Sequence, residues 1–121
     1  MKIYVAHSSS FDYEAELYQI IEANFGNNHE FIFPHRSKLL LGSSKSAIAS
    51  SHLILAEVSY ASTGLGIELG WANSLQLPIT CYYKANTSPS AALSAPNGSL
   101  YSYTSSQELI LLLAKELKII R

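Results

Sequence analysis

Short apolar runs alternate with segments of helical spacing along the whole chain, and this alternation restricts the fold more than any other feature. The apolar runs lie at residues 3–6, 31–33, 53–58, 79–83 and 100–103. A strand, a helix and a second strand in succession form a parallel βαβ unit. The pattern therefore predicts an α/β three-layer sandwich around a five-stranded parallel sheet of order 2-1-3-4-5, the flavodoxin-like or Rossmann-like arrangement.

The segments between the strands predict the helices. Apolar residues four apart, Tyr13, Leu17, Ile21 and Phe25, predict a helix over 13–25, and a second helix is expected over 64–75. Residues 37–51 are expected to form a loop and a short helix, and residues 85–99 a loop that holds one short helix. A capping box of Ser105 and Glu108 predicts the start of the last helix.

Size and charge narrow the class of protein. The 121 residues fit one domain spanning 1–121, and 48% apolar against 14% charged residues excludes a disordered chain. The net charge is −1 and the basic residues are scattered, so we expect no nucleic acid polymer and no membrane as a partner. A single cysteine, Cys81, fits a reducing compartment, and the apolar runs are shorter than the ~20 residues of a spanning helix. We expect a cytoplasmic protein.

Three loops are expected to hold the ligand. In parallel sheets, ligands bind beyond the carboxyl ends of the strands, where the chain passes into the next helix. The loops at residues 7–10, 34–37 and 59–64 follow the first three predicted strands. Two of them carry a histidine, His7 and His35, and an imidazole there is suited to proton transfer. A polar loop histidine without such a role is the alternative for each.

The loop at 59–64 and the helix after it carry the most informative residues. Ser62 and Thr63 are natural helix caps, and free amides at a helix N-terminus bind anions. Gly64 and Gly66 leave the backbone open to a ligand. Glu68 follows Ser62 by six residues, so it is not the acid of a capping box, which follows the cap by about three.

Position around the helix distinguishes Glu68 from an ordinary surface charge. At ~100° per residue, an apolar arc is formed by Leu65, Leu69, Trp71, Ala72 and Leu75, and Glu68 lies within it. Carboxylates are seldom buried without a partner or a task. We therefore expect Glu68 to face the cleft, where an ionised carboxylate can stabilise positive charge or act as a nucleophile.

Residues 56–70, AEVSYASTGLGIELG, resemble the signature of the nucleoside 2-deoxyribosyltransferase superfamily. Within it, the run is most similar to the branch of 2′-deoxynucleoside 5′-monophosphate N-glycosidases. The similarity continues at residues 3–8 and 81–84 and covers nearly the whole chain. It implies an enzyme that hydrolyses the N-glycosidic bond of a (deoxy)nucleoside or its 5′-monophosphate, or transfers the sugar to another base. We expect no cofactor, and no metal ion, because His29 and His52 show no metal-ligand spacing with the other histidines.

The resemblance also assigns roles residue by residue. Glu68 matches the catalytic nucleophile and Tyr4 a tyrosine that positions sugar and nucleophile. Ser8 and Ser62 match serines that hold the 5′-phosphate. Ser90, with Ser94 as the competing match, corresponds to a serine that reaches the site of a neighbouring subunit, so a homodimer is expected.

Three positions depart from the family pattern. Ser44 stands where an aspartate acts on the leaving base, Ser10 where an arginine helps to hold phosphate, and His7 where the first loop has a glycine. Protonation of the leaving base then falls to His35, His7 or water. A module that binds nucleotides without turnover is therefore the alternative function. A phosphorylatable receiver domain would need an acidic pair after the first strand, and residues 7 and 8 supply none.

Overall fold

A computed structural model describes residues 1–37, 41–89 and 98–119. All strand pairs of its sheet are parallel, and the order is β2-β1-β3-β4-β5, as predicted. The strands are β1 (Lys2–His7), β2 (Glu30–Ile32), β3 (Leu53–Glu57), β4 (Ile79–Lys84) and β5 (Gly98–Tyr103). The last strand is longer than its weak apolar pattern suggests.

Four helices connect or follow the strands in the described ranges. They are α1 (Gln19–Phe25), α2 (Leu41–Ala49), α3 (Thr63–Ser74) and α4 (Ser106–Ile119). The regular helix predicted over 13–25 is wrong in its first half, where Glu14–Tyr18 form a π-helical turn that runs into α1. The short helix expected within 85–99 falls largely outside the described residues. None of the helices in these ranges is long and apolar enough to cross a bilayer.

Alternation along the strands divides the core between the two faces of the sheet. Ile3 and Val5 of β1 pack with residues of α1 and α4, whereas Tyr4 and Ala6 pack with residues of α2 and α3. Successive side chains of a strand point to opposite faces, so each strand contributes to both clusters. The result is the predicted three-layer sandwich, and it sends Tyr4 toward α3 and His7 toward α1.

Helix α3 shows which part of the predicted apolar arc is buried. Leu65, Leu69 and Ala72 are buried against the sheet, and Trp71 is half-buried. Leu75 is 51% exposed, because the helix ends at Ser74 and Leu75 lies beyond the last turn that contacts the sheet. The arc was therefore correct for the body of the helix and wrong at its C-terminus.

Candidate active site

A cavity of about 290 Å³ lies at the carboxyl edge of the sheet. Residues of all three loops expected to hold a ligand line it. The described residues that line the cavity are His7, Ser9, Pro34, His35, Ser44, Ser62, Gly64, Leu65 and Glu68. Small-molecule sites have volumes from ~300 Å³ upward, and this cavity is close to that lower limit. Its volume suits a ligand the size of a nucleoside.

Glu68 is half-buried on the wall of this cavity, in the second turn of α3. The hydroxyl of Tyr4 donates a hydrogen bond to Glu68 Oε2 at 2.6 Å. Tyr4 is fully buried and reaches Glu68 because its position in β1 faces the α2/α3 layer. A carboxylate held by a rigid strand residue has a fixed direction, which nucleophilic attack requires.

Burial controls the charge of Glu68. Loss of water raises the pKa of the carboxyl above its usual range, while hydrogen bonds from Tyr4 and Ser44 and the charge of His35 lower it in part. Dehydration is the largest of these effects, so the pKa stays above its usual range. The pKa of the Tyr4 hydroxyl is also raised, first by burial and then by Glu68, so Tyr4 remains a neutral donor.

Ser44 lies on the same wall, on α2, and is buried. Its side chain is close enough to Tyr4 and Glu68 to lower the pKa of both groups by hydrogen bonding. The position that the resemblance assigns to an acid therefore does face the cavity, although a serine occupies it. We call Tyr4, Ser44 and Glu68 the carboxylate wall.

His7 also lines the cavity, and both of its ring nitrogens are engaged. Its Nδ1 lies 2.6 Å from the carbonyl oxygen of Ser8, and its Nε2 lies 2.5 Å from the hydroxyl of Tyr18. A carbonyl only accepts, so Nδ1 carries the proton and Nε2 accepts from Tyr18. Burial lowers the pKa of His7 to about 4, so the ring is neutral near pH 7. His7 has no ring nitrogen free to donate a proton to a ligand.

His35 is exposed at the rim of the cavity and is held from beneath. Its backbone N–H donates to the Tyr18 hydroxyl at 3.2 Å, and its ring centroid lies 4.7 Å from that of His7. We call His7, Tyr18 and His35 the imidazole wall. Tyr18 was not predicted as a site residue, because it lies one position after Leu17 and outside the apolar stripe of the helix. The sequence feature that could have identified Tyr18 is its aromatic side chain, on the helix that packs against the face of the sheet toward which His7 points.

The N-terminus of α3 closes one end of the cavity. Ser62 caps the helix, and its Oγ accepts a hydrogen bond from the Leu65 amide at 3.2 Å. Gly64 lines the cavity, and a side chain there would meet no atom within 4 Å, so the backbone is open to a ligand. Thr63 and Gly66 are exposed on the same helix but do not line the cavity.

The first loop presents a different serine from the one expected. Ser8 is buried, does not line the cavity, and its Oγ accepts a hydrogen bond from the Ser10 amide at 3.3 Å. Ser9 is exposed and does line it. Ser90 lies outside the described residues, so the structure says nothing of its role.

Two cations that could substitute for the arginine absent at position 10 form ion pairs with other residues. Arg36 forms ion pairs with Glu14 at 2.5 Å and Glu22 at 2.8 Å, and Lys84 pairs with Glu16 at 2.6 Å. Neither basic residue lines the cavity. In the described part of the chain, no three His, Cys, Asp or Glu side chains are grouped as metal ligands.

Glu57 supports the loop that leads to α3. Its carboxylate accepts hydrogen bonds from the Ser59 amide at 2.7 Å, the Ser59 hydroxyl at 2.8 Å and the hydroxyl of Tyr103. The Ser59 hydroxyl oxygen in turn accepts from the Lys84 amide at 2.8 Å. All these partners belong to the scaffold, so Glu57 has a structural role.

A second and larger cavity, of about 450 Å³, lies beside β4, β5 and the start of α4. Glu16 and Lys84 line it, and they neutralise each other as an ion pair. Its remaining described lining residues are Ala85, Asn86, Tyr103, Thr104, Ser105 and Ser106. The smaller cavity combines a half-buried carboxylate with imidazoles, and that combination makes it the candidate active site.

No model of a known protein family matches the sequence, and no curated protein matches it. Solved structures do share its fold. The CMP N-glycosidase BcmB of Clostridium botulinum superposes with a TM-score of 0.73 and 16% identity, over 94% of this chain and 99% of that chain. A conserved protein from Enterococcus faecalis V583 gives a TM-score of 0.65 at 16% identity, over 96% and 98% of the two chains.

A flavodoxin-like domain from a Synechococcus sp. protein is also similar, with a TM-score of 0.55 and 12% identity over 93% of this chain and 99% of that one. These likenesses establish the class of fold, a flavodoxin-like or Rossmann-like α/β sandwich. At such low identities they carry the fold alone.

Proposed function

We propose that the protein cleaves the N-glycosidic bond of a nucleoside or nucleoside 5′-monophosphate, with Glu68 as nucleophile, as a member of the nucleoside 2-deoxyribosyltransferase superfamily. One observation carries the proposal: a half-buried carboxylate on a cavity wall, fixed by the Tyr4 hydroxyl at 2.6 Å. The signature over 56–70 supports it, and so does the fold shared with a CMP N-glycosidase.

The carboxylate wall suits this reaction physically. As the bond between C1′ and the base breaks, positive charge develops on C1′ and the ring oxygen. In the partly dehydrated cavity, the negative charge of Glu68 acts on it through a lower dielectric than that of water. Glu68 then bonds to C1′ as a sugar ester, and water hydrolyses the ester or a second base takes the sugar.

The N-terminus of α3 supports recognition of a 5′-phosphate. The first amides of a helix have no partner within the helix, and here Gly64 brings them to the cavity surface. The Ser62 hydroxyl adds a donor. Ser9 replaces Ser8 in our proposal as the serine of the first loop that contacts the phosphate, because it lines the cavity. We expect 5′-monophosphates to bind more tightly than nucleosides; equal affinity would leave a nucleoside as the ligand.

A homodimer is part of the proposal, since the family pattern lets a serine near position 90 complete the neighbouring site. Light scattering should give twice the mass of the 13.3 kDa chain. If the protein remained a monomer at high concentration, both the proposed homodimer and the proposed role of Ser90 would be contradicted.

The experiment that tests the function is incubation with a panel of nucleosides and 5′-monophosphates, with and without a free acceptor base. Chromatography should show released base, or exchanged base when an acceptor is present. The matched control is Glu68→Gln, which keeps the shape of the site. Absence of base release from every substrate by the native protein would contradict the enzyme.

A binding module without turnover is the second candidate, favoured by one specific observation. Ser44 occupies the wall position of the expected acid, and Glu68 is the one carboxylic acid among the described residues that line the cavity. Calorimetry on the same panel separates the two functions, because a module would bind nucleotides and release no base.

A further inference from the structure

We propose that His35 donates the proton to the leaving base, and that Tyr18 positions it. This inference rests on the proposed function and names the group that replaces the acid absent at position 44. Two histidines line the cavity, and they differ in availability. His7 is buried with both ring nitrogens engaged, whereas the ring of His35 is exposed at the rim.

The backbone of His35 is fixed by Tyr18. The Tyr18 hydroxyl accepts the His35 N–H at 3.2 Å while it donates to His7 Nε2 at 2.5 Å. Tyr18 is itself fully buried, so this hydroxyl is a rigid anchor between the loop after β2 and the end of β1. An exposed residue of an otherwise free loop would not be tied to the core in this way.

The ring of His35 is held as well. It packs against His7 at 4.7 Å and against Tyr13 at 4.8 Å between ring centroids. The next residue, Arg36, is fixed by its ion pairs with Glu14 and Glu22 on the preceding helical segment. These contacts hold the imidazole at the cavity while one face of the ring remains open to solvent. A group that must be reprotonated in each catalytic cycle needs this contact with solvent.

His35 and Glu68 line the same cavity from different elements, and the charge of His35 acts on Glu68. A nucleoside bound with C1′ at Glu68 has its base directed away from the carboxylate, since attack and departure occur on opposite faces of the sugar carbon. Within the same cavity, His35 lies at the rim on the loop after β2, a different element from the helix that holds Glu68. Of the two histidines lining the described part of the cavity, His7 has both ring nitrogens engaged, and His35 is the one exposed to a ligand.

The proposed step balances without a co-reactant. The C1′–N bond breaks, its electron pair goes to the base, and the base nitrogen takes the proton from the His35 imidazolium. One oxygen of Glu68 forms the bond to C1′. In the second step water attacks C1′ and releases Glu68, and neutral His35 takes the proton from that water and becomes imidazolium again.

The test compares two leaving groups. In His35→Ala, kcat/KM for the best nucleotide of the panel should fall about 100-fold or more, the usual contribution of a positioned acid. For a 4-nitrophenyl 2-deoxyriboside 5-phosphate, whose phenolate leaves without a proton, the fall should stay below about threefold. His52→Ala is the matched control: His52 is an exposed histidine whose Nδ1 accepts the Lys2 amide at 3.0 Å, away from the cavity.

Tyr18→Phe tests the positioning role with the same readout. It should show a smaller loss on the nucleotide, about tenfold, and again little loss on the nitrophenyl substrate. A damaged fold would slow both substrates equally.

Equal losses on both substrates in His35→Ala, or no loss on either, would overturn the inference and leave the proposed function standing. Native protein that releases no base from any substrate would overturn both. His35→Gln provides a second variant with a side chain closer in size, and the same pattern is expected from it.

Discussion

The two walls of the cavity are built differently. The carboxylate wall comes from the interiors of regular elements: Tyr4 from a central strand, and Ser44 and Glu68 from the bodies of two helices. The imidazole wall comes from a strand end, a π-helical turn and a loop, which supply His7, Tyr18 and His35 respectively. One wall thus holds a charge in a dehydrated and rigid setting, and the other presents a ring at the solvent boundary.

This difference divides the chemistry as the reaction requires. Stabilising a developing positive charge is most effective where water is excluded. Moving protons in and out of the site needs contact with solvent. Within the imidazole wall the same division recurs, because buried His7 is a structural link and exposed His35 is the group open to a ligand.

The largest expected effect is on the carboxylate wall. Glu68→Gln should lower kcat by about 10³-fold or more, because the amide neither forms the sugar ester nor stabilises the charge as well. The dissociation constant should change by about threefold at most, since the shape is kept. Glu30→Gln, at the exposed start of β2, is the matched control. Native kcat in Glu68→Gln would show that the two walls do not divide the chemistry.

The second expected effect concerns His7 and stability. Its pKa in the folded protein is about 4, below the ordinary 6.5, so the fold prefers the neutral ring. The stability this preference provides is present above pH ~6.5 and is lost as pH falls toward 4, by up to about 3 kcal/mol. Denaturant titrations at several pH values should show this loss in the native protein and less of it in His7→Gln. If the free energy of unfolding changed equally with pH in the native protein and in His7→Gln, His7 would not be a buried neutral residue.

A third prediction sharpens the electrostatics of the carboxylate wall. The Tyr4 hydroxyl lowers the pKa of Glu68, so Tyr4→Phe should raise that pKa further. Ionised Glu68 is needed for attack, and the acid limb of the kcat/KM profile should therefore move to higher pH, with about tenfold lower activity on that limb. Tyr101→Phe, at an exposed tyrosine of β5, is the control. If the acid limb did not move in Tyr4→Phe, the Tyr4 hydroxyl would have no effect on the ionisation of Glu68.

The smallest effect is expected at Ser44. A serine is too weak an acid to protonate a base, so Ser44→Ala should change kcat by about threefold at most, through the lost hydrogen bond. Ser46→Ala, at an exposed serine of the same helix, is the control. A loss as large as that of His35→Ala would place the proton donor on the carboxylate wall instead.

Glu68 was predictable because a period of 3.6 residues places it within the buried arc of α3. Tyr4 and Ser44, the other members of the carboxylate wall, were identified by the resemblance alone. Alternation in β1 explains why Tyr4 reaches the α2/α3 face. The alternation of strands and helices along the chain predicted the sheet order. Where the helix ended, the arc failed, and Leu75 is exposed.

The imidazole wall was predictable only as a location. The loops of His7 and His35 were placed at the cavity, but their different environments depend on Tyr18, which a π-helical turn brings inward beside Leu17. Sequence periodicity does not anticipate such a turn, because it breaks the α-helical repeat. The exchange of Ser8 for Ser9 has the same origin, since loop backbone decides which serine faces the cavity.

The central claim is that Glu68 bonds to the sugar. The most direct test is intact-mass measurement after incubation with a 2-deoxy-2-fluoroarabinosyl nucleotide, whose fluorine slows hydrolysis of the ester. The account predicts a mass gain of one fluorinated sugar phosphate, located by peptide mapping to Glu68 and absent in Glu68→Gln. Two results would contradict this claim. One is base release by the native protein with no adduct on either the native protein or Glu68→Gln. The other is an adduct on a residue other than Glu68.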